Sequence, residues 1–381
     1  MGIVGSHLSV NSGENPWIKG VWLTNIDSEI LFDVQSLKTA IQTLKQTGFN
    51  TIYPTVWQGG YTLYPSAVLQ AAISQAQDPL PALRDRHLLQ ESQQLGQQQK
   101  MRVIPWVEFG FMAPADSRLA RKYPQWLTRQ QDGNPIWLEG KTLERVWLNP
   151  LHPEVQQFFT KLMLELVSQT DVIGLQFDDH FGYPANLGYD DFTVQLYQQE
   201  HQGQLPPPPI ALDPQNNCVS ADPQWQAWVN WRSQKISKYL ADLTGQLKAQ
   251  KPDLIISISP NPQTFSKNCF LADWQSWEQQ DLINELVLQV YRSNLAQFIQ
   301  ELSQPEVKTA KQHISVIVGI LAGLKGRPAP LSQLQEQITW VKDKQFAGVS
   351  FFFYESLWNF GSESPPQRQH FLQQTLNSPI R

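Results

Sequence analysis

Asp171-Val172-Ile173-Gly174-Leu175-Gln176-Phe177-Asp178-Asp179-His180-Phe181-Gly182-Tyr183-Pro184 is the stretch that decides how this chain folds. An apolar run ends abruptly in two carboxylates, a histidine and two aromatics. Strands buried on both faces of a parallel sheet read as such near-continuous runs. In a (β/α)8 barrel the chemistry sits where the strands end. Alternation assigns the faces. Ile173, Leu175 and Phe177 form the more apolar face and should pack on outer helices. Gly174, Gln176 and Asp178 then point to the barrel axis, and Asp179 opens the loop.

Working outward, seven more runs match this one. Candidate strands cover 18–24, 51–57, 102–108, 172–178, 254–259, 285–291, 314–320 and 348–354. Helical periodicity lies between them. Leu37, Ile41 and Leu44 share a face that Gly48 terminates. Val155, Phe158, Phe159, Leu162 and Leu166 repeat the pattern, as do Ile236, Tyr239, Leu240 and Leu247, and later Leu331, Leu334, Ile338 and Val341. Strands that each precede a helix predict an α/β fold, a closed (β/α)8 TIM barrel. An open doubly wound sheet is the alternative, weakened because no Gly-rich phosphate fingerprint follows the first strand. Long loops should follow strands 2 and 4, over 58–80 and 183–223. The second contains Pro206-Pro207-Pro208-Pro209, a stiff extended segment. The expected organisation is a flexible tail over 1–16 and a barrel over 17–381, with 183–223 inserted over its mouth.

Composition narrows the function. The 381 residues carry a net charge of −5, so a nucleic-acid partner is not expected. No run reaches the ~18 apolar residues of a membrane helix. Residues 1–16 show neither the basic nor the apolar region of a signal peptide, which points by default to the cytoplasm. Cys218 and Cys269 read as two incidental thiols. The 14 Trp, 18 Phe and 10 Tyr suit sugar stacking as well as core packing.

Glycoside hydrolysis needs two carboxyl groups. Asp178 and Asp179 are the first candidates. Glu108 closes the third strand on the face of Trp106. Glu355 ends the aromatic run of the last. Asn25 and Asp27 follow the first strand. Trp57, Trp106, Tyr183 and Tyr291 are candidates to stack on sugar rings, and His180 and Gln289 to hydrogen-bond them. No cofactor is expected. His180 beside two acids is a weak metal signature and is read as a hydrogen-bonding group.

With those residues in view, the chain resembles the glycosyl-hydrolase-like 10 family. Gly20-Val21-Trp22-Leu23-Thr24-Asn25-Ile26-Asp27-Ser28 is similar to its first-strand block and Gly48-Phe49-Asn50-Thr51-Ile52-Tyr53-Pro54 to its second. The Asp178-Asp179 pair with the following aromatics and proline resembles its strongest signature. Trp231-Arg232, Ser257-Ile258-Ser259-Pro260, Asp273-Trp274 and Leu288-Gln289-Val290-Tyr291 continue the resemblance in order. It implies a TIM barrel, glycoside hydrolysis, site roles for Asp178 and Asp179, and for some relatives peptidoglycan glycan strands stripped of peptide. Trp57 and Glu108 depart from the family pattern, which has a basic and a small polar residue there. The expected activity is therefore cleavage of a glycosidic bond in a poly- or oligosaccharide. The rivals are a non-catalytic glycan-binding barrel and a metal-dependent hydrolase built on Asp178, Asp179 and His180.

Overall fold

The eight apolar runs pair side by side in chain order. They are β1 (Ile18–Leu23), β2 (Thr51–Gln58), β3 in two pieces (Arg102–Val103 and Trp106–Val107), β4 (Gly174–Asp178), β5 (Ile255–Ser259), β6 (Glu285–Gln289), β7 (Ser315–Leu321) and β8 (Gly348–Phe352). Every neighbouring pair is parallel, and β1 closes the ring by pairing with β8 at Ile18↔Gly348 and with β2 at Gly20↔Thr51. Pro105 has no N–H for the ladder and lies in the gap that splits β3. The computed structural model describes residues 17–140 and 142–379, so the expected tail over 1–16 lies outside the described residues.

Helices α1 (Val34–Thr47), α2 (Leu88–Gln98), α3 (Pro153–Gln169), α4 (Pro223–Gln250), α5 (Gln263–Phe270), α6 (Trp274–Gln279), α7 (Leu295–Leu302), α8 (Pro305–His313), α9 (Leu331–Asp343) and α10 (Pro365–Asn377) connect the strands and close the chain. In α1 the Asp33 carboxylate accepts from the Ser36 amide, and Gly48 ends the helix at φ 107°, a backbone that favours glycine. None of the described helices is long and apolar enough to cross a membrane.

Alternation splits the apolar residues into two cores. Val21, Leu23, Ile52, Leu175 and Phe177 face the helices. Ile18, Trp22, Tyr53, Ile104, Trp106 and Val287 fill the barrel interior. Ile173, expected on the outer face of the strand, precedes its first pair and is 42% exposed. One group of polar side chains in the interior is linked by hydrogen bonds. Gln176 accepts from the Trp22 indole at 2.6 Å and donates to Ser257 at 2.9 Å. Ser257 and the Tyr53 hydroxyl donate to Glu285, which also pairs with Arg102 at 2.9 Å.

Three excursions rise from the strand ends, where two were expected. The segment after β2 carries a hairpin arm at Tyr61–Thr62 and a helix at Ala67–Ile73. The unanticipated one follows β3, as an antiparallel sheet of Met112–Pro114, Leu143–Trp147 and Trp137–Glu139. The excursion after β4 is divided in character. Tyr183, Ala185 and Leu187 are buried, and Arg232 of α4 donates to the Ala185 and Leu187 carbonyls at 2.9 and 2.6 Å. The proline run beyond is tied at one point, where the Tyr189 hydroxyl donates to the Pro207 carbonyl at 2.9 Å. Farther on, Cys218 and Cys269 form a disulfide with Cα atoms 5.3 Å apart. They are not incidental thiols. A separation of 51 residues gives no sequence cue that the fold brings them together.

Candidate active site at the barrel mouth

The interior face of β4 delivers Asp178 to the top of the barrel, where it is 2% exposed. Its carboxylate is fully engaged. One oxygen accepts from the His180 amide at 2.9 Å, and the other accepts from the Phe109 amide at 2.8 Å and meets His180 Nδ1 at 2.7 Å. Asp178 thus fixes the chain just past β3 and the loop that follows β4.

Asp179, one residue on, is more open, with a side chain 24% exposed. It accepts from Asn261 Nδ2 at 2.8 Å and from Gln289 Nε2 at 3.3 Å, donors at the ends of β5 and β6. His180 Nδ1 lies 3.4 Å from it. The ring is packed as well as paired, stacked on Trp147 at 5.4 Å and edge-on to Phe109 at 5.1 Å.

Electrostatics separate these groups. Burial opposes a charge on His180, but the Asp178 and Asp179 carboxylates outweigh it and hold the imidazole pKa well above its usual value. Burial pushes the Asp178 carboxyl up, and the His180 charge only partly offsets that. For Asp179 burial acts in the same direction, yet the His180 charge and hydrogen bond win and its pKa falls below the ordinary carboxylate range.

Glu108 shares the interior with Asp178 and is 3% exposed. The Thr24 hydroxyl donates to its two oxygens at 3.1 and 2.9 Å, and Thr55 donates at 2.8 Å. Thr24 directly follows β1 and Thr55 lies within β2, on the faces of Trp22 and Tyr53. Burial raises the Glu108 pKa to about 8; the two threonines pull it down, and the nearby Asp178 charge pushes it further up. Glu108 is therefore a carboxylic acid at neutral pH.

The remaining candidates divide. Gln289 also donates to the Ser259 carbonyl at 2.7 Å. Tyr291 stacks on the half-buried Phe352 at 5.6 Å, and burial with the two aspartate charges raises its pKa well above the usual value. Trp106 points inward as a buried floor against Trp22 and Phe352. Glu355 falls in a short helix after β8 and accepts from Ser28 at 3.2 Å. With Asn25 and Asp27 it lines a separate hollow of about 480 Å³. Two residues expected at strand ends as stacking surfaces are not open at the mouth. Trp57 is 1% exposed and packs on Phe158 and Phe159 of α3. A register shift between Thr55 and Trp57 inserts an extra residue and turns its side chain to the outer face. Tyr183 is wholly buried beside Arg232, inside the wall rather than at its rim. Neither is open for stacking on a sugar.

Thr24, Thr55, Asn261, Phe109 and Trp147 were not singled out from the sequence. The two threonines carried a signal, since each continues an inward alternation one step past an aromatic. Trp147 carried none, because the sheet that presents it is local to the excursion after β3.

Comparison with known proteins agrees with this architecture. The Glycosyl hydrolase-like 10 family model matches residues 17–342. The protein named glycosyl hydrolase DigH from Escherichia coli K12 is 22% identical over 310 residues, covering 72% of this chain and 62% of that protein. Its counterpart in Shigella flexneri gives the same figures, so the chain spans under two thirds of these relatives. Among solved structures, the PgaB (BpsB) glycoside hydrolase domain from Bordetella bronchiseptica superposes with TM-score 0.63 at 13% identity, over 88% of this chain and 94% of that one. The catalytic domain of β-amylase from Paenibacillus polymyxa gives 0.62 at 11% identity, over 96% and 98%. The barrel is thus shared with glycosidases, and the chain belongs to the glycosyl hydrolase-like 10 family.

Proposed function

We propose that this protein hydrolyses a glycosidic bond in a poly- or oligosaccharide, with peptidoglycan-type glycan as the first substrate to test. The observation that carries the reading is a pair of carboxyl groups driven apart. Glu108 is held protonated up to about pH 8, while Asp179 is held ionised beside His180. Divergent pKa values of this kind separate an acid from a base or nucleophile. Glu108 donates its proton to the leaving oxygen as the C1–O bond breaks. Asp179 faces the positive charge that develops at C1, as nucleophile or as base for water. Water adds to C1, and Glu108 recovers its proton. Asp178 positions His180 and the Phe109 amide. Gln289 and Tyr291 stand where sugar hydroxyls would bind.

The experiment is reducing-end release from a glycan panel that includes peptide-free peptidoglycan strands. Glu108→Gln and Asp179→Asn serve as controls. Turnover lost in both supports the assignment; a panel with no cleaved member overturns it in favour of a glycan-binding barrel. One observation favours a second reading. Asp178, Asp179 and His180 offer ligand atoms within 4.8 Å of one another, as a metal-dependent hydrolase would need. Chelator-sensitive turnover with stoichiometric bound metal would select it.

A further inference from the structure

Beyond the reacting carboxylates, a hollow of about 490 Å³ lies between the β4 excursion and the ends of β5 and β6. Its size suits one or two sugar rings. Its lining is dominated by carboxamides, namely Gln215 and Asn217 from the excursion, Asn261 after β5, and Gln297 and Gln300 of α7. Asn and Gln offer both donors and acceptors, the chemistry that reads hydroxyl and acetamido groups. Arg292 in the same lining is paired with Glu301 at 2.8 Å, so the hollow presents hydrogen bonds rather than a net field. Phe265 adds a half-buried ring face. The hollow is joined to the reacting centre by one side chain. Asn261 lines it and donates to Asp179 at 2.8 Å.

The excursion wall is held in an unusual way. Asn217 and Cys218 both adopt left-handed backbone with φ 53°. Asn tolerates that conformation, whereas Cys218 adopts it against its side chain. Cys218 is bonded to Cys269, which lies on α5 together with Phe265. The bridge thus fastens the two sides of the hollow to each other within a few residues of its lining.

We propose that this hollow is an oligosaccharide subsite, one that binds the sugars next to the scissile bond and whose wall is held in place by the Cys218–Cys269 bridge. The proposal rests on the glycosidase reading and adds to it a preference for extended chains. Asn217 and Gln215 set that preference without touching the reacting carboxylates.

The test uses peptide-free peptidoglycan oligomers of increasing length, from disaccharide to octasaccharide. Two readouts are taken, reducing-end release by the active protein and calorimetric binding to the Asp179→Asn protein. The expected result is a kcat/KM that rises with length. Asn217→Ala with Gln215→Ala should lower kcat/KM for the octasaccharide about tenfold, through KM, and leave the shortest cleaved oligomer unchanged. Cys218→Ser with Cys269→Ser, or reduction of the wild type, should reproduce that loss. Equal loss on short and long chains, or no dependence on length, overturns the subsite. If no oligomer is cleaved yet the Asp179→Asn protein binds long chains more tightly than short ones through Asn217, the hydrolase reading fails and the subsite stands. If the bridge variant does not fold, the carboxamide variant decides alone.

Discussion

Glu108 is the residue whose charge state most constrains the chemistry. Its pKa is about 8 in the folded protein, against an ordinary 4.5. The native state therefore keeps a proton that the unfolded chain releases between those values. Its contribution to stability is full below about 4.5 and is lost as pH rises through about 8. Glu108→Gln should flatten the decline of melting temperature between about pH 4.5 and about pH 8 while lowering kcat by ~10²–10⁴-fold. A variant with wild-type turnover and an unchanged decline over that range would remove Glu108 from the proposed mechanism. Asp178→Asn tests the neighbouring group. Loss of its charge should bring the His180 pKa down, read by NMR titration of the imidazole. An unmoved His180 would mean that Asp179 alone sustains its charge. From sequence, alternation gave the direction of Asp178 and Glu108 correctly, because both end strands whose inner faces are otherwise occupied. Trp57, expected to stack on a sugar from its place at a strand end, is misplaced because a single inserted residue in β2 leaves no mark in composition.

At the scale of elements, the strands and the excursions after β2 and β4 were legible, and the one after β3 was not. A barrel strand announces itself as an apolar run between helical repeats. The sheet after β3 has short strands of mixed polarity, with Leu138 and Leu143 exposed, so its pattern resembles loop. It nevertheless supplies Trp147, the surface on which His180 rests. Trp147→Ala should destabilise the protein by ~3–5 kcal/mol in urea titration. It should also lower kcat, because His180 would lose the face that orients it toward the aspartates. Activity that survives intact despite the lost stability would show that the hydrogen bonds alone position the ring. The Cys218–Cys269 bridge was missed because pairing is a property of the folded chain. Such bridges persist in oxidising compartments.

On the scale of the whole molecule, the last helix is anchored to the barrel by a residue that sequence periodicity does not flag. Arg368 of α10 is fully buried. It donates to the Leu357, Ala329 and Ala322 carbonyls at 2.7, 2.9 and 2.7 Å, and so ties the last helix to the segments that follow β7 and β8. Arg368→Met leaves those carbonyls without their donor and should cost ~3–5 kcal/mol, measured by equilibrium unfolding. A loss below ~1 kcal/mol would show that water replaces the guanidinium.

The filled barrel interior has a different consequence. Beneath Asp178 stand Trp22, Tyr53 and Trp106, all buried, with Gln176, Ser257 and Glu285 bonded among them. The well is blind. Under the proposed hydrolysis, incoming sugar, water and departing product would all cross the rim that carries Asp178 and Asp179. In that reading turnover is a matter of queueing as much as of bond breaking, because a product still seated at the lip stands in the way of the next water.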